Sequence, residues 1–152
     1  MSLDAYRKKR DFARTPEPAP EPGPANPDGP RRYVIQRHAA SRLHWDLRLE
    51  EDGVLKSWAV PKEPPAEKGV KRLAVEVEDH TLAYADFEGV IPEGEYGAGT
   101  VEIWDTGTYV PLESSPGTRV FEIRGRRLCG AYALIRIKGR TPGEKPWLFF
   151  KK

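Results

Sequence analysis

The sequence predicts a mainly β protein: a compact closed or nearly closed β-barrel of about eight strands with an extended, partly helical N-terminal arm. Three observations point there. After residue 33, short runs of alternating apolar and polar residues follow one another, separated by turn residues. No helical period is sustained over ten residues in that part of the chain. Seven of the fifteen prolines crowd into residues 1–30, which keeps that segment out of helix interiors and inner strands. The expected division is therefore a flexible Pro-rich arm with a basic start over 1–30 and a barrel domain over 31–152.

Taken in order, Tyr6-Arg7-Lys8-Lys9-Arg10-Asp11-Phe12 suits a turn or two of helix with a basic face. The proline run from Thr15 to Pro22 reads as extended chain, ordered only where it lies on the core. Tyr33–Gln36 is a short β-rich run. Trp45–Glu50 alternates strictly, and Glu51-Asp52-Gly53 turns it back into Val54–Val60 as a hairpin. Leu73–Glu78 alternates again, with Leu73, Val75 and Val77 expected inward and Arg72, Glu76, Glu78 and His80 on the opposite face. Gly99–Trp104 and Gly107–Val110 read as two strands broken by a turn at Asp105-Thr106-Gly107. Arg119–Ile123, Ala131–Ile137 and Trp147–Phe150 complete the set, with turns at Ser115-Pro116-Gly117 and Thr141-Pro142-Gly143. About eight strands at such spacing close into a small barrel, which removes exposed edges and leaves one mouth or face for a site.

The 152 residues suit a single domain, with 38% hydrophobic residues and 32% charged ones. A net charge of +2 excludes a chain that is basic throughout, so a nucleic-acid contact must be a local patch. Arg7, Lys8, Lys9 and Arg10 are candidates for holding a strand backbone; a solvated tail is the plainer alternative. The single cysteine, Cys129, excludes a disulfide framework and is expected to be a small buried apolar residue. No apolar run approaches the roughly 20 residues of a membrane span, and no apolar stretch follows the basic start, so a cytoplasmic protein with no membrane contact is expected.

Two of the three histidines fall in Gln36-Arg37-His38-Ala39-Ala40-Ser41-Arg42-Leu43-His44-Trp45-Asp46-Leu47-Arg48. On a strand, His44, Asp46, Arg48 and Glu50 share one face and Trp45, Leu47 and Leu49 share the other. One tight turn after His38 would bring it over the strand. Two imidazoles and a carboxylate then make a three-ligand metal site with open positions. Mn²⁺, Co²⁺ and Zn²⁺ all suit such mixed ligands; manganese is favoured because phosphate oxygen and water complete a hard shell. The same alternation also describes an exposed polar strand face. The scarcity of histidine, and its company of Asp and Arg, favours the site. His80, with Tyr84 four residues on and Arg72 nearby, suits contact with phosphate oxygens or protonation of a leaving alkoxide; a capping His and a core Tyr are the alternative. The segment Gly89–Gly99 is no P-loop, lacking the Gly-Lys-Ser/Thr ending, and reads as a tight connection where backbones cross closely.

These blocks resemble the DNA 3′-phosphoesterase module of bacterial DNA ligase D. So do Lys56-Ser57-Trp58-Ala59-Val60-Pro61-Lys62, Val77-Glu78-Asp79-His80, Gly89-Val90-Ile91-Pro92-Glu93-Gly94-Glu95-Tyr96-Gly97-Ala98-Gly99 and the N-terminal Tyr6–Phe12 with Thr15-Pro16-Glu17-Pro18. The resemblance spans nearly the whole chain. It implies a manganese-dependent barrel enzyme that removes a 3′-phosphate, trims a terminal ribonucleotide and leaves a 3′-hydroxyl for ligation in non-homologous end joining. It implies His38, His44 and Asp46 as metal ligands and Arg48, His80 and Tyr84 as phosphate contacts. Gln36 and Arg72 are implied as supporting groups, and Arg10, Asp11 and Glu17 as residues of the ribonucleotide step. The implied partners are DNA or RNA/DNA 3′ ends at breaks, with ligase and polymerase modules of the same repair system, and the chain acting as a monomer at the nucleoid. The chain is expected to be either a stand-alone enzyme or one domain of a longer ligase. A barrel that only grips a nucleic-acid end, and a barrel enzyme for small phosphorylated molecules, are the rival readings.

Overall fold

The computed structural model describes residues 2–21 and 30–152. Helix α1 (Asp4–Lys8) precedes nine strands: β1 (Arg31–Ala39), β2 (Leu43–Glu51), β3 (Val54–Val60), β4 (Lys71–His80), β5 (Gly89–Ile91), β6 (Gly99–Ser115), β7 (Thr118–Gly125), β8 (Cys129–Arg136) and β9 (Pro146–Lys151). A 3₁₀ helix, Leu82–Asp86, lies between β4 and β5. The sheet runs β1-β2-β3-β4-β9-β8-β7-β6 and closes by pairing of β1 with β6, an antiparallel eight-stranded barrel. The ninth strand, β5, pairs with the first residues of β6 outside that closure.

Strand parity sorts the side chains into two layers. Inward positions from every barrel strand form the main core, including Ile35, Leu47, Trp58, Ala74, Tyr109, Phe121, Leu134 and Phe149. Its aromatic rings interlock, with Trp58 edge-on to Trp147 at 5.7 Å and Phe149 stacked on Tyr132 at 5.2 Å. A second cluster sits on the outer face of β1, β3 and β6, where Val34, Leu55 and Val101 are covered by Tyr6 of α1, Tyr84 and Ala85 of the 3₁₀ helix, and Ile91 of β5. An outer barrel face is normally wet. Here the arm and the β4–β5 connection roof it, and that roof creates the cavity described below.

The arm is anchored over residues 2–21. The Tyr6 hydroxyl donates to the Pro18 carbonyl, and Thr81 Oγ1 both accepts from Glu21 N–H and donates to Glu21 O. Residues 22–29, in the later part of the expected 1–30 arm, lie outside the described residues.

Three expectations are corrected. No turn breaks the chain at Asp105-Thr106-Gly107: β6 is one strand of 17 residues with a register shift against β1. The turn chemistry is used elsewhere. The buried Asp105 carboxylate accepts the Tyr33 hydroxyl at 2.7 Å and the N–H groups of Arg126, Arg127 and Leu128, which fixes the β7–β8 connection. Gly107 is a close-approach glycine, because a Cβ there would collide with the Arg124 carbonyl. On β4 the inward residue is Ala74, whereas Leu73 is exposed and Val77 faces the outer cavity. A bulge explains how His80 nevertheless reaches that cavity: Ser57 pairs with Val77 and Leu55 with His80, two steps on β3 against three on β4. The extra residue turns His80 onto the face of Val77. Cys129 is exposed, because Tyr132 and Leu134 hold the interior face of β8 and Cys129 lies an odd number of residues away.

Candidate metal and phosphate site

The hairpin of β1 and β2 sets His38 opposite His44 and Gln36 opposite Asp46, all on the outer face. His38 Nε2 lies 2.6 Å from the Gly97 carbonyl oxygen, which can only accept. That nitrogen therefore carries the proton, and the Nδ1 lone pair faces Asp46 Oδ2 at 3.6 Å. His44 mirrors it: Nδ1 is 3.1 Å from the Arg42 carbonyl, and Nε2 is 3.2 Å from the same Asp46 oxygen. Ligand-type atoms of the three residues lie within 4.8 Å of one another. Backbone carbonyls thus orient both rings so that two nitrogen lone pairs and one carboxylate oxygen converge, the outer support that metal-binding histidines need. The residues fit a divalent cation, and the cluster can hold a metal ion.

Charge fits as well. Burial opposes ionisation of Asp46, yet the positive charge of the Arg48 guanidinium foremost, with the His38 and His44 rings beside the carboxyl, outweighs it and holds the carboxyl well below the usual carboxylate range. Burial lowers His44, and the hydrogen bond and charge of Asp46 reverse that to a net rise.

Arg48, only 3% exposed, is held from three sides. Its Nε donates to Gln36 Oε1 at 2.7 Å, Nη2 sits 3.4 Å from Asp46 Oδ2, and the guanidinium lies 4.8 Å over the Tyr84 ring. Its buried Nη1 has no hydrogen-bond partner among the described residues. Gln36, fully buried, donates its amide N–H groups to the carbonyls of Tyr84 and Phe87. It ties the arginine to the 3₁₀ helix and does not itself line the cavity.

His80 and the arm close the other side. His80 Nδ1 lies 2.9 Å from the Glu78 carbonyl, so Nδ1 carries the proton and Nε2 accepts from Arg10 Nη2 at 3.3 Å. Burial, then the positive charges of Arg48 and Arg10, push the His80 imidazole well below its ordinary range, so it is neutral at neutral pH. Arg10 bonds Glu17 at 2.8 Å and lies 4.1 Å over the Tyr6 ring. Buried Glu17 also accepts the Tyr84 hydroxyl at 2.7 Å and the Thr15 hydroxyl at 2.9 Å. Tyr84 is pushed up by burial and by the neighbouring Glu17 despite Arg48, and it stays protonated.

The structure therefore gathers His38, His44, Asp46, Arg48, His80, Tyr84 and Arg10 around one cavity of about 310 Å³. Glu17 and Gln36 stand directly behind it. Two expected residues lie elsewhere. Arg72 is near the start of β4, paired with Phe149, and its Nε donates to the Glu63 carbonyl at 2.8 Å. Asp11 is exposed, and its carboxylate accepts the Ala13 N–H in a local turn. The basic start divides: Arg7 is exposed beside Asp4, while Lys9 bonds Glu78 at 3.0 Å next to the cavity. Sequence reasoning passed over Glu78, Ile91, Tyr96 and Gly97, which also line it. The one available signal for the last two was the Gly-rich segment, read there as a close crossing. Gly99 is such a crossing, since a Cβ would strike the Ala39 carbonyl, but Gly97 also positions His38.

Comparison with known proteins agrees with this geometry. The family model described as the DNA Ligase D 3′-phosphoesterase domain matches residues 36–136. A protein named multifunctional non-homologous end joining protein LigD from Pseudomonas aeruginosa is 49% identical over 98% of this chain and 18% of its own length. A multifunctional non-homologous end joining DNA repair protein LigD from Mycobacterium tuberculosis is 52% identical over 90% of this chain and 18% of its own. The corresponding Mycolicibacterium smegmatis protein is 47% identical over 91% of this chain and 20% of its own. The chain spans about a fifth of the length of these relatives. With a family model matched over most of its barrel and a site on that barrel's outer face, the chain belongs to the DNA ligase D 3′-phosphoesterase domain family.

Proposed function

We propose that this chain is a manganese-dependent phosphoesterase that heals 3′ ends of DNA or RNA/DNA strands, removing a terminal 3′-phosphate and trimming a terminal ribonucleotide to leave a 3′-hydroxyl. The observation that carries the reading is Arg48 Nη1, a buried and unpartnered N–H group beside the converging lone pairs of His38 and His44. A buried orphan donor of positive charge is costly unless an anion completes it.

In this reading His38 Nδ1, His44 Nε2 and Asp46 Oδ2 hold the cation. A cation so held supplies Lewis-acid polarisation of a phosphoryl oxygen. Arg48 contributes Nη1 to a second phosphoryl oxygen, in an orientation set by Gln36 and the Tyr84 ring. His80 moves the proton. The positive charges of Arg48 and Arg10 help keep it neutral at rest. A bound phosphate dianion offsets those charges, so Nε2 can take up a proton from solvent and pass it to the departing 3′-oxygen, while a water molecule attacks phosphorus, forms the P–O bond that replaces the broken one and releases its proton to solvent. Arg10, held by Glu17 and Tyr6, borders the same space and is placed to contact the terminal nucleotide. A terminal ribonucleotide offers a 2′-hydroxyl, the group that distinguishes RNA from DNA there. Strand ends at breaks are the proposed partners, with ligase and polymerase modules acting on the healed end.

The test is release of inorganic phosphate from a 3′-phosphorylated DNA primer with Mn²⁺ present. Wild type should release it, and His44→Ala should lose nearly all of that activity. Absence of release by wild type, or equal rates for the variant, would contradict the reading.

A further inference from the structure

Tyr96 is an exposed aromatic ring on the rim of a polar cavity. The residue is 47% exposed and shares the lining with Arg10, His44 and Arg48. Two successive turns present it. The Glu95 N–H donates to the Pro92 carbonyl at 3.2 Å and the Ala98 N–H to the Glu95 carbonyl at 3.1 Å. Gly94 and Gly97, each third in its turn, take φ values of +88° and +77°, the left-handed conformation that favours glycine there. Tyr96 is second in the later turn, a corner from which its side chain projects. The next residue, Gly97, accepts the His38 N–H at 2.6 Å, so ring and candidate metal ligand are tied through one residue of backbone. Lys9 Nζ and the Arg10 guanidinium lie 4.8 and 5.3 Å from the ring centre.

The floor of the cavity is charged: Asp46, Arg48 and His44. A 3′-phosphate seated on that floor carries its nucleoside outward, toward the open side that Tyr96 borders. An aromatic ring flanked by cations is what an unpaired nucleotide uses elsewhere: the base stacks on the ring and the preceding phosphodiester meets the positive charges. Every base has a π-face, so such a contact accepts any terminal base.

We propose that Tyr96 stacks on the nucleobase of the 3′-terminal nucleotide, making the cavity selective for a nucleoside 3′-phosphate over a bare phosphomonoester. Tyr96 has this role only if the cavity holds a 3′-phosphate, the reading proposed above.

The test uses the full chain with Mn²⁺ and two primers, one ending in a nucleoside 3′-phosphate and one in an abasic 3′-phosphate. Wild type should favour the base-bearing end in kcat/KM. In Tyr96→Ala that preference should shrink by between about 5-fold and 150-fold, the range that base–aromatic stacking supports. The loss should appear mainly in KM, and Tyr96→Phe should restore the preference. A second arm follows the fluorescence of 2-aminopurine at the 3′ terminus, which stacking quenches: wild type and Tyr96→Phe should quench it, and Tyr96→Ala should not. Equal losses on both primers, or unchanged quenching in Tyr96→Ala, would overturn the stacking role while leaving the phosphoesterase reading in place. If wild type released phosphate from neither primer, the phosphoesterase reading would fall, and the quenching arm would still decide whether Tyr96 stacks a terminal base.

Discussion

Arg48 Nε donates to Gln36 Oε1 at 2.7 Å inside a buried pair, and Gln36 in turn is held by two carbonyls, those of Tyr84 within the 3₁₀ helix and of Phe87 just after it. The guanidinium therefore has one orientation, with Nη2 toward Asp46 and Nη1 left over. Pre-set donors of this kind are worth most where water is excluded.

Replacing Gln36 with leucine should show this indirectly. It orphans Arg48 Nε and takes the side-chain donor from the Phe87 and Tyr84 carbonyls, the latter keeping the Phe87 N–H at 3.0 Å, which should cost about 1–3 kcal/mol of stability, read from urea unfolding. Phosphate release should fall by about 100-fold, because a reacting group displaced by about 1 Å loses that much.

Arg48→Lys keeps the charge and loses the fork. Lysine cannot donate to Gln36 and present two further N–H groups in one plane. Its kcat on a 3′-phosphorylated primer should drop by about 100- to 1,000-fold, as when a single preorganised donor is removed. A drop of less than about threefold would mean that only charge matters at this position.

Glu17 joins Arg10, Thr15 and Tyr84 in a site with no solvent access to its side chain. Glu17→Ala removes the nearer of two carboxylates on the buried Arg10, leaving Glu78 at 3.5 Å, and should cost about 1–3 kcal/mol. The arm should also become a protease target before the barrel unfolds. Limited proteolysis, with the fragment masses identified, checks this.

His80 gives a pH dependence with a definite sign. Its folded value is depressed by burial and by Arg48 and Arg10, while the unfolded chain titrates near 6.5. Below that pH the unfolded state binds a proton that the folded state does not, so stability falls as pH falls from about 6.5 toward 5. The steepest contribution is about 1.4 kcal/mol per pH unit, for one proton. His80→Gln should remove it, so unfolding curves of the two proteins should converge as the pH is lowered. Asp46 adds a further loss only below about 3.9, the unfolded carboxyl value, outside this window.

Much of this architecture is legible in the sequence because period-two alternation is a local property. Trp45-Asp46-Leu47-Arg48 states its own faces, and the Asp52-Gly53 turn between β2 and β3 takes the positive φ values that its residues suit. What escaped reading depends on partners far along the chain. Asp105 looks like a turn residue until Tyr33 and the β7–β8 connection are placed around its carboxylate. His80 reaches the cavity through a bulge that no composition marks, and Leu73, expected inward, gives its place to Ala74. Tyr96 and Gly97 gain meaning only once His38 lies beneath them. The site also sits outside the barrel, under an arm read from its prolines as extended chain ordered only where it lies on the core, and the anchoring contacts of Tyr6, Arg10 and Glu17 supply its roof.

The most direct measurement is Mn²⁺ binding followed by electron paramagnetic resonance, wild type against Asp46→Asn, with circular dichroism to confirm an unchanged barrel. Convergence of His38 Nδ1, His44 Nε2 and Asp46 Oδ2 predicts one site per chain in wild type and binding weakened at least about tenfold in the variant, the lower end of the loss seen when the ligand environment of a metal is altered. Equal Mn²⁺ binding by the two folded proteins would contradict the account.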